Sequence, residues 1–268
     1  SEVFAGNLSQ LLRSLGQSSY ILEDIRALLD QQFHRLSPQE QEIMIWLAIR
    51  REPVALQELL EDLVQRMQPH QLLQILASLQ GRSLIEKVEN NLFTQQPVVM
   101  EYITNCFIEQ MSQQFCHWQV GDKIDHTSFL QRYALIQVQA KDYVRETQVR
   151  LILKPVLDHL MYHFGESAHI EKHLQQMLQA IRADLVRAKG YAAGNMINVL
   201  RHLDVDLSGY NFSQLTVWQA DLQRITLYDV DFSNADLAKS RFSQTFGWIT
   251  AIAFSPDGQT IATGDDTA

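Results

Sequence analysis

Nine histidines and two cysteines are among the residues of this 268-residue chain whose chemistry suits metal binding or nucleophilic attack. His159 and His163 stand four apart, as do His169 and His173. On a helix that spacing puts both rings on one face, within reach of one metal ion. No carboxylate or cysteine completes a known ligand pattern, and H-E-x-x-H is absent. The pairs therefore read as surface or interface histidines, and no metal site is assigned. Cys116–His117 is equally isolated, with nothing to complete a catalytic dyad. No G-x-S-x-G elbow or paired-acid constellation stands out. No catalytic residue is assigned, and the chain reads as a non-enzyme.

Nucleic-acid recognition is the next candidate chemistry. "PHQLLQILASLQGR" offers His70, Gln71, Gln74, Gln80 and Arg82 on what could be a recognition helix. Around it, from Leu56 to Asn91, Glu58, Glu61, Asp62, Glu86 and Glu89 outweigh Arg66, Arg82 and Lys87. Phosphate contact supplies most nonspecific DNA affinity. The net charge of -9 disfavours a general backbone binder as well. A protein-packing role is preferred, and a DNA-binding transcription regulator is the alternative.

The elements that would carry these residues follow from periodicity. Leu8, Leu11, Leu12 and Leu15 are spaced for a helix with Gly16 as its stop; Ile21, Ile25, Leu28, Leu29 and Phe33 make a second stripe. Ser37, Pro38 and Glu40 form a capping-box start for a helix burying Ile43, Trp46 and Leu47 and the stem of Arg50, ended by Pro53. Leu56, Leu59, Leu60, Leu63 and Val64 mark the next helix. Pro69 starts another, with Leu72, Leu73, Leu76 and Leu79 on one face. "SLIEKVENNLFTQQP" predicts a strand, an Asn-Asn turn and a strand. A closing helix buries Val99, Ile103, Phe107 and Met111. Three helices, a hairpin and a closing helix make a winged-helix domain over 37–115, preceded by a helical segment over 1–36.

From 116 to 202 the pattern predicts a helical connector. One long helix runs through "YALIQVQAKDYVRETQVRLIL", with Pro155 kinking or restarting it. "EKHLQQMLQAIRADLVRAKG" is a second helix, stopped at Gly190.

From Val205 the period changes to five. Leu207, Phe212, Val217, Leu222, Leu227, Phe232, Leu237 and Phe242 recur at every fifth position. A helix repeats at 3.6 and a strand at 2. A period of five fits a square coil whose four sides close one turn, with residues twenty apart stacked at about 4.8 Å. These eight residues are the predicted solenoid core over 203–246, and the polar positions between them read as solvated faces. The preceding helix is expected to cap one end of the coil and the following β-unit the other. The segment, with "ADLQR" and "ADLAK", resembles the pentapeptide-repeat family.

"GWITAIAFSPDGQTIATGDD" alternates through Ile252 and Phe254, turns at Ser-Pro-Asp-Gly, and resumes at Ile261. It resembles the first two strands of a WD-repeat propeller blade, here truncated over 247–268. The chain opens at Ser1 without a methionine and closes inside this unit, so a fragment of a longer protein is expected. The predicted fold class is mainly α, helical and winged-helix, followed by a short right-angled β-solenoid of pentapeptide repeats and a truncated β-propeller blade. Neither a membrane-length apolar stretch nor a signal peptide is recognisable. With two cysteines as free thiols, a cytoplasmic location is expected.

"DIRALLDQQFHRLSPQEQEIMIWLAI", "SLIEKVENNLFTQQPVVMEYIT" and "GYAAGNMINVLRHLDVDLSGYNFSQLTVWQADL", followed by "AFSPDGQTIATGD", resemble one kind of protein. It is the bacterial NB-ARC, WD-repeat class of signal-transduction NTPases (STAND class). The resemblance implies an ATPase core upstream and a ligand-sensing propeller downstream. It implies a switch in which ADP locks the core, ligand opens it, ATP replaces ADP and protomers assemble. ATP, ADP and Mg are expected only with that core, because no G-x-x-x-x-G-K-[ST] loop occurs here. Many relatives carry Met-His-Asp where the wing meets the last helix, and the His touches the ADP phosphate. By alignment Gln96 takes the His place and Pro97 the Asp place, which makes Gln96 a nucleotide-sensing candidate; a plain turn residue is the simpler reading. The expected partners are other domains of the same protein and an unknown protein or small molecule at the propeller. A membrane is not expected, nor nucleic acid. The coils as a DNA decoy are a further alternative, disfavoured because two turns cover little duplex.

Overall fold

The computed structural model describes residues 26–183, 189–242, 249–254 and 261–265. The predicted helix over Leu8–Leu15, and Ile21 and Ile25, lie outside them. A helix over 26–34 (α1) buries Phe33 and leaves Leu28 exposed. Then come α2 (Pro38–Arg50), α3 (Leu56–Asp62), α4 (Pro69–Gly81), β1 (Ile85–Val88), β2 (Leu92–Gln95) and α5 (Pro97–His117).

Local chemistry sets most of these boundaries as expected, but α3 stops at Asp62, short of the predicted Leu63 and Val64, because the backbone turns extended at Leu63. The Glu40 N–H donates to Ser37 Oγ while the Ser37 N–H donates to the Glu40 carboxylate at 2.8 Å. That reciprocal pair satisfies two of the free donors at the start of α2. Asn90 and Asn91 both hold φ near +60°, the left-handed region that a tight hairpin turn requires and asparagine tolerates. The turn sets β1 antiparallel to β2, and Phe93 of β2 also bridges Val54. α2 packs against α3, α4, α5 and β2 and is buried from Ile43 to Ile49. One expectation fails on α4. Leu73 is 51% exposed, and Ile75 joins Leu72, Leu76 and Leu79 in the core. Adjacent residues on a helix lie about 100° apart, so Leu72 and Leu73 cannot share a narrow face.

The connector holds α6 (Phe129–Arg132), α7 (Asp142–Gln148), α8 (Lys154–Phe164), α9 (Ser167–Ala183) and α10 (Ala192–His202). It is not helical throughout, and the long helix predicted from Tyr133 is wrong in its first half. Residues 133–141 have no helical backbone, and Tyr133 to Val138 are all buried. Continuous burial does not by itself decide between helix and strap, since α2 is also buried from Ile43 to Ile49. Here side chains rather than a helical ladder take the amides of Leu135, Gln137 and Val138. The second half is helical, and α7 runs into α8 through a π-turn at Val149–Leu153. Proline has no N–H, and its ring clashes with the carbonyl four residues back. The wide turn directly before Pro155 lets the helix continue through it without a break.

After α10 the period-five segment pairs with itself at a separation of twenty. Asn211 bridges Asp231 and Thr216 bridges Asp236, both parallel. β3 (Asp221–Leu222) pairs in parallel with β4 (Arg241–Phe242). The Phe212 and Phe232 rings stack at 5.4 Å and 22°. Leu207, Phe212, Val217 and Leu222 are buried; Leu227, Phe232 and Leu237 are partly buried. Phe242, predicted to face inward with them, is 45% exposed. The first turn meets α10, whose Asn198 bonds Gln219 and Asp221, and its core side chains are more deeply buried than those of the second. The last described elements are an antiparallel pair, β5 (Ile249–Phe254) and β6 (Ile261–Asp265). The predicted Ser-Pro-Asp-Gly turn between them falls outside the described residues.

Candidate functional site

The corners of the repeat are built from backbone conformation. Gln214, Gln219, Arg224, Asp229, Asn234 and Lys239 all hold positive φ, as do Asp204 and Gly209 before them. Each of the six falls two residues after a core side chain. A left-handed residue every fifth position redirects the chain, and a non-glycine residue there costs about 1–2 kcal/mol. Short side chains brace the turns. Asp206, Asn211, Asp221, Asp231 and Asp236 each accept the N–H two residues on through Oδ1. This is the physical use of the Asp or Asn in the repeat.

One corner column, Gln219 with Lys239 twenty residues later, faces the helices. Gln219 is 5% exposed, so the expectation that such positions are solvated fails there. The Val138 N–H donates to Gln219 Oε1 at 2.8 Å. Asn198 of α10 closes the same corner: its Nδ2 donates to the Gln219 carbonyl at 2.8 Å, and its Oδ1 accepts the Asp221 N–H at 2.8 Å. Other amides hold the strap. The Leu135 N–H donates to Asn195 Oδ1 at 2.8 Å, while Asn195 Nδ2 donates to the Tyr133 carbonyl at 2.7 Å. The Gln137 N–H donates to Gln148 Oε1 at 2.8 Å, and Gln148 Nε2 reaches the Ile49 carbonyl of α2 at 2.8 Å. Asn198 and Gln148 are fully buried. A buried strap without ladder partners must satisfy its polar groups somehow. Here side chains from α7, α10 and the coil do so, joining α2 to the repeats through one network.

A charged and aromatic path runs beside it. Arg50 Nε donates to Asp62 Oδ2 at 2.7 Å, Gln137 Nε2 to Asp62 Oδ1 at 3.0 Å, and the Tyr191 hydroxyl to the Asp62 carbonyl at 2.7 Å. Burial pushes the Asp62 carboxyl up, with Arg50 pulling against it. Trp46 of α2 lies 5.3 Å from the Tyr191 ring, and Tyr191 lies 5.6 Å from Trp218 of the coil. Lys239 Nζ sits 5.5 Å over Trp218 and donates to the Glu61 carbonyl at the end of α3. Burial lowers the Lys239 ammonium, against the pull of Asp62 and Glu61.

The residues singled out for chemistry lie elsewhere. Gln96, at the start of α5, is exposed, and its Nε2 donates to Glu86 Oε1 at 2.9 Å. A phosphate at that amide would meet the Glu86 carboxylate. The structure brings histidines together across elements: the His117 and His163 rings are 5.9 Å apart, and His173 packs on Trp118 and Phe164. His173 Nε2 lies 2.7 Å from the Phe115 carbonyl oxygen. Among the described residues no group of three or more His, Cys, Asp or Glu could hold a metal ion. Burial pushes the Cys106 and Cys116 thiols up, away from the thiolate a nucleophile needs. Just past α4, Arg82 lies 4.0 Å from Glu40, and the exposed face of α4 carries Leu73 beside Gln71 and Gln74.

Residues 206–244 match the family model of pentapeptide repeats, in eight copies. Over 98% of its length the chain is 47% identical to an uncharacterised WD repeat-containing protein of Nostoc sp. (strain PCC 7120), and it spans 23% of that relative. No solved structure matches the chain. No described helix is long and apolar enough to cross a membrane.

Proposed function

We propose that this chain is a non-catalytic relay and protein-interaction segment of a larger nucleotide-switch protein of the NB-ARC, WD-repeat kind. In this proposal 37–115 is a winged helix that packs on an upstream ATPase core. The connector transmits movement of that core, and a square solenoid over 203–246 sets the position of a propeller beginning at 247. ATP, ADP and Mg belong to the core, and a protein or small-molecule ligand to the propeller.

The observation that carries the proposal is the buried amide network from Ile49 through Gln148, Gln137 and Val138 to Gln219. Flexible tethers leave neighbouring modules free to move independently. A network of satisfied buried polar groups instead fixes one geometry, which is what a rigid transmitter needs. Similarity to a WD repeat-containing protein supports a role in protein interaction. The test is ATP hydrolysis by the full-length protein with residues 206–244 deleted. Loss of ligand-dependent control is expected; unchanged control rejects the relay. The DNA-binding alternative is tested by gel shift of the chain at low salt, where salt-sensitive binding would displace the proposal.

A further inference from the structure

A second feature lies between α7, α8, α10 and the repeats. The π-turn helix and the edge of the coil enclose an open cleft of about 890 Å³, within the roughly 300–1,000 Å³ of small-molecule sites. The chain as a whole carries a net charge of -9. The cleft inverts that sign: Arg145, Arg150, Lys154, Arg201, Arg224 and Arg241 line it, against the three carboxylates Asp142, Glu146 and Asp221. Two of those acids already have cationic partners. Asp142 lies 2.9 Å from Arg145 Nη2 and 3.8 Å from Arg241 Nη1, and Asp221 lies 3.0 Å from Arg201 Nη1. Arg150 and Lys154 are exposed and form no ion pair with any described residue. They stand four apart across the π-turn, where like charges repel. Arg145 Nη1 is buried without an acceptor among the described residues.

We infer that this cleft binds a multiply charged phosphate group, carried by a free oligophosphate or by the phosphates of a nucleotide. Five of the six cations are arginines, whose planar forks match phosphate oxygens two at a time. The lining holds no aromatic ring, so no platform exists for stacking a base, and recognition rests on the phosphates. One wall is helix and the other is coil, so a bound anion would cross-link them. Wide helical turns of this kind are frequent at functional sites.

The test titrates the chain with tripolyphosphate and with ATP at matched ionic strength, by calorimetry and thermal melting. Saturable one-to-one binding of both and a raised Tm are expected. The double variant Arg150→Gln/Lys154→Gln should bind at least about tenfold more weakly, since each lost contact is a charged one. Both side chains are exposed and make no ion pair, and their mutual repulsion is relieved, so its unliganded Tm should match or slightly exceed the parent's. Lys172→Gln on α9, outside the cleft, should bind as the parent does. Absence of saturable binding, or a double variant as tight as the parent, overturns the assignment. So does uptake of ATP with refusal of tripolyphosphate, or preference for a glutamate-rich peptide.

Discussion

Gly194 of α10 lies so close to Trp218 that a Cβ on it would stand 1.8 Å from the Trp218 carbonyl oxygen. That oxygen is backbone and cannot swing aside. Gly194→Ala must push the helix off the coil, at a cost of about 1–3 kcal/mol or more. Gly81→Ala ends a helix in open space and should be neutral or slightly stabilising. Denaturant unfolding of both variants measures the difference; equal stabilities would contradict the close packing.

Asn198→Ala removes the partner of both the Gln219 carbonyl and the Asp221 N–H. Each buried group left unsatisfied costs about 1–3 kcal/mol. Asn198→Asp keeps an acceptor for Asp221 but loses the donor and adds a carboxylate near another. Both should lower the unfolding midpoint. A midpoint unchanged in either variant would show that this corner is not held as described.

The two ends of the coil should differ. Phe212 is fully buried and stacked on Phe232, whereas Phe242 is 45% exposed. Phe212→Ala should cost about 3–5 kcal/mol and Phe242→Ala about 1 kcal/mol or less. Comparable losses, read from urea midpoints at equal slope, would mean that the second turn is as deeply packed as the first.

Burial lowers the His173 pKa below its ordinary value, aided by His163 and opposed by the Phe115 carbonyl. The folded state therefore takes up the proton at lower pH than the unfolded chain does. This contribution to stability is complete above the ordinary histidine value of about 6.5. It is lost as pH falls from there through the lowered folded value. His173→Gln can still donate to Phe115 but cannot charge, so its stability should fall less steeply below that pH. Parallel curves for parent and variant would exclude His173 as the group responsible.

What could be read from the chain was what short-range chemistry determines. Ser37 and Glu40 are three apart, Asn90 and Asn91 are adjacent, and the core residues of the coil recur at every fifth position; each signal sits within one element. The strap and the docking corner were not legible. "YALIQV" suits a helix as well as a buried extended segment, because apolar runs carry no period of their own. Its partners Asn195 and Gln219 lie 60 and 81 residues away. Gln219 and Lys239 looked solvated because periodicity distinguishes inside from outside of a coil, but not which outer side meets a neighbour. The signal that marks them is the left-handed corner, and glutamine and lysine give no compositional hint of it.

The wide turn before Pro155 has a consequence for how one helix serves two neighbours. Successive residues of an α-helix advance by about 100°. A turn that closes one residue later shifts the phase of everything beyond it. Gln148, ahead of the shift, reaches toward Ile49 and the strap, while α8, beyond it, packs on α5 and α9. Removing one residue from 149–153 would restore regular pitch and rotate Val156, Leu157 and Leu160 out of alignment with the helices they pack against. The segment tolerates exchange of side chains more readily than any change in its length.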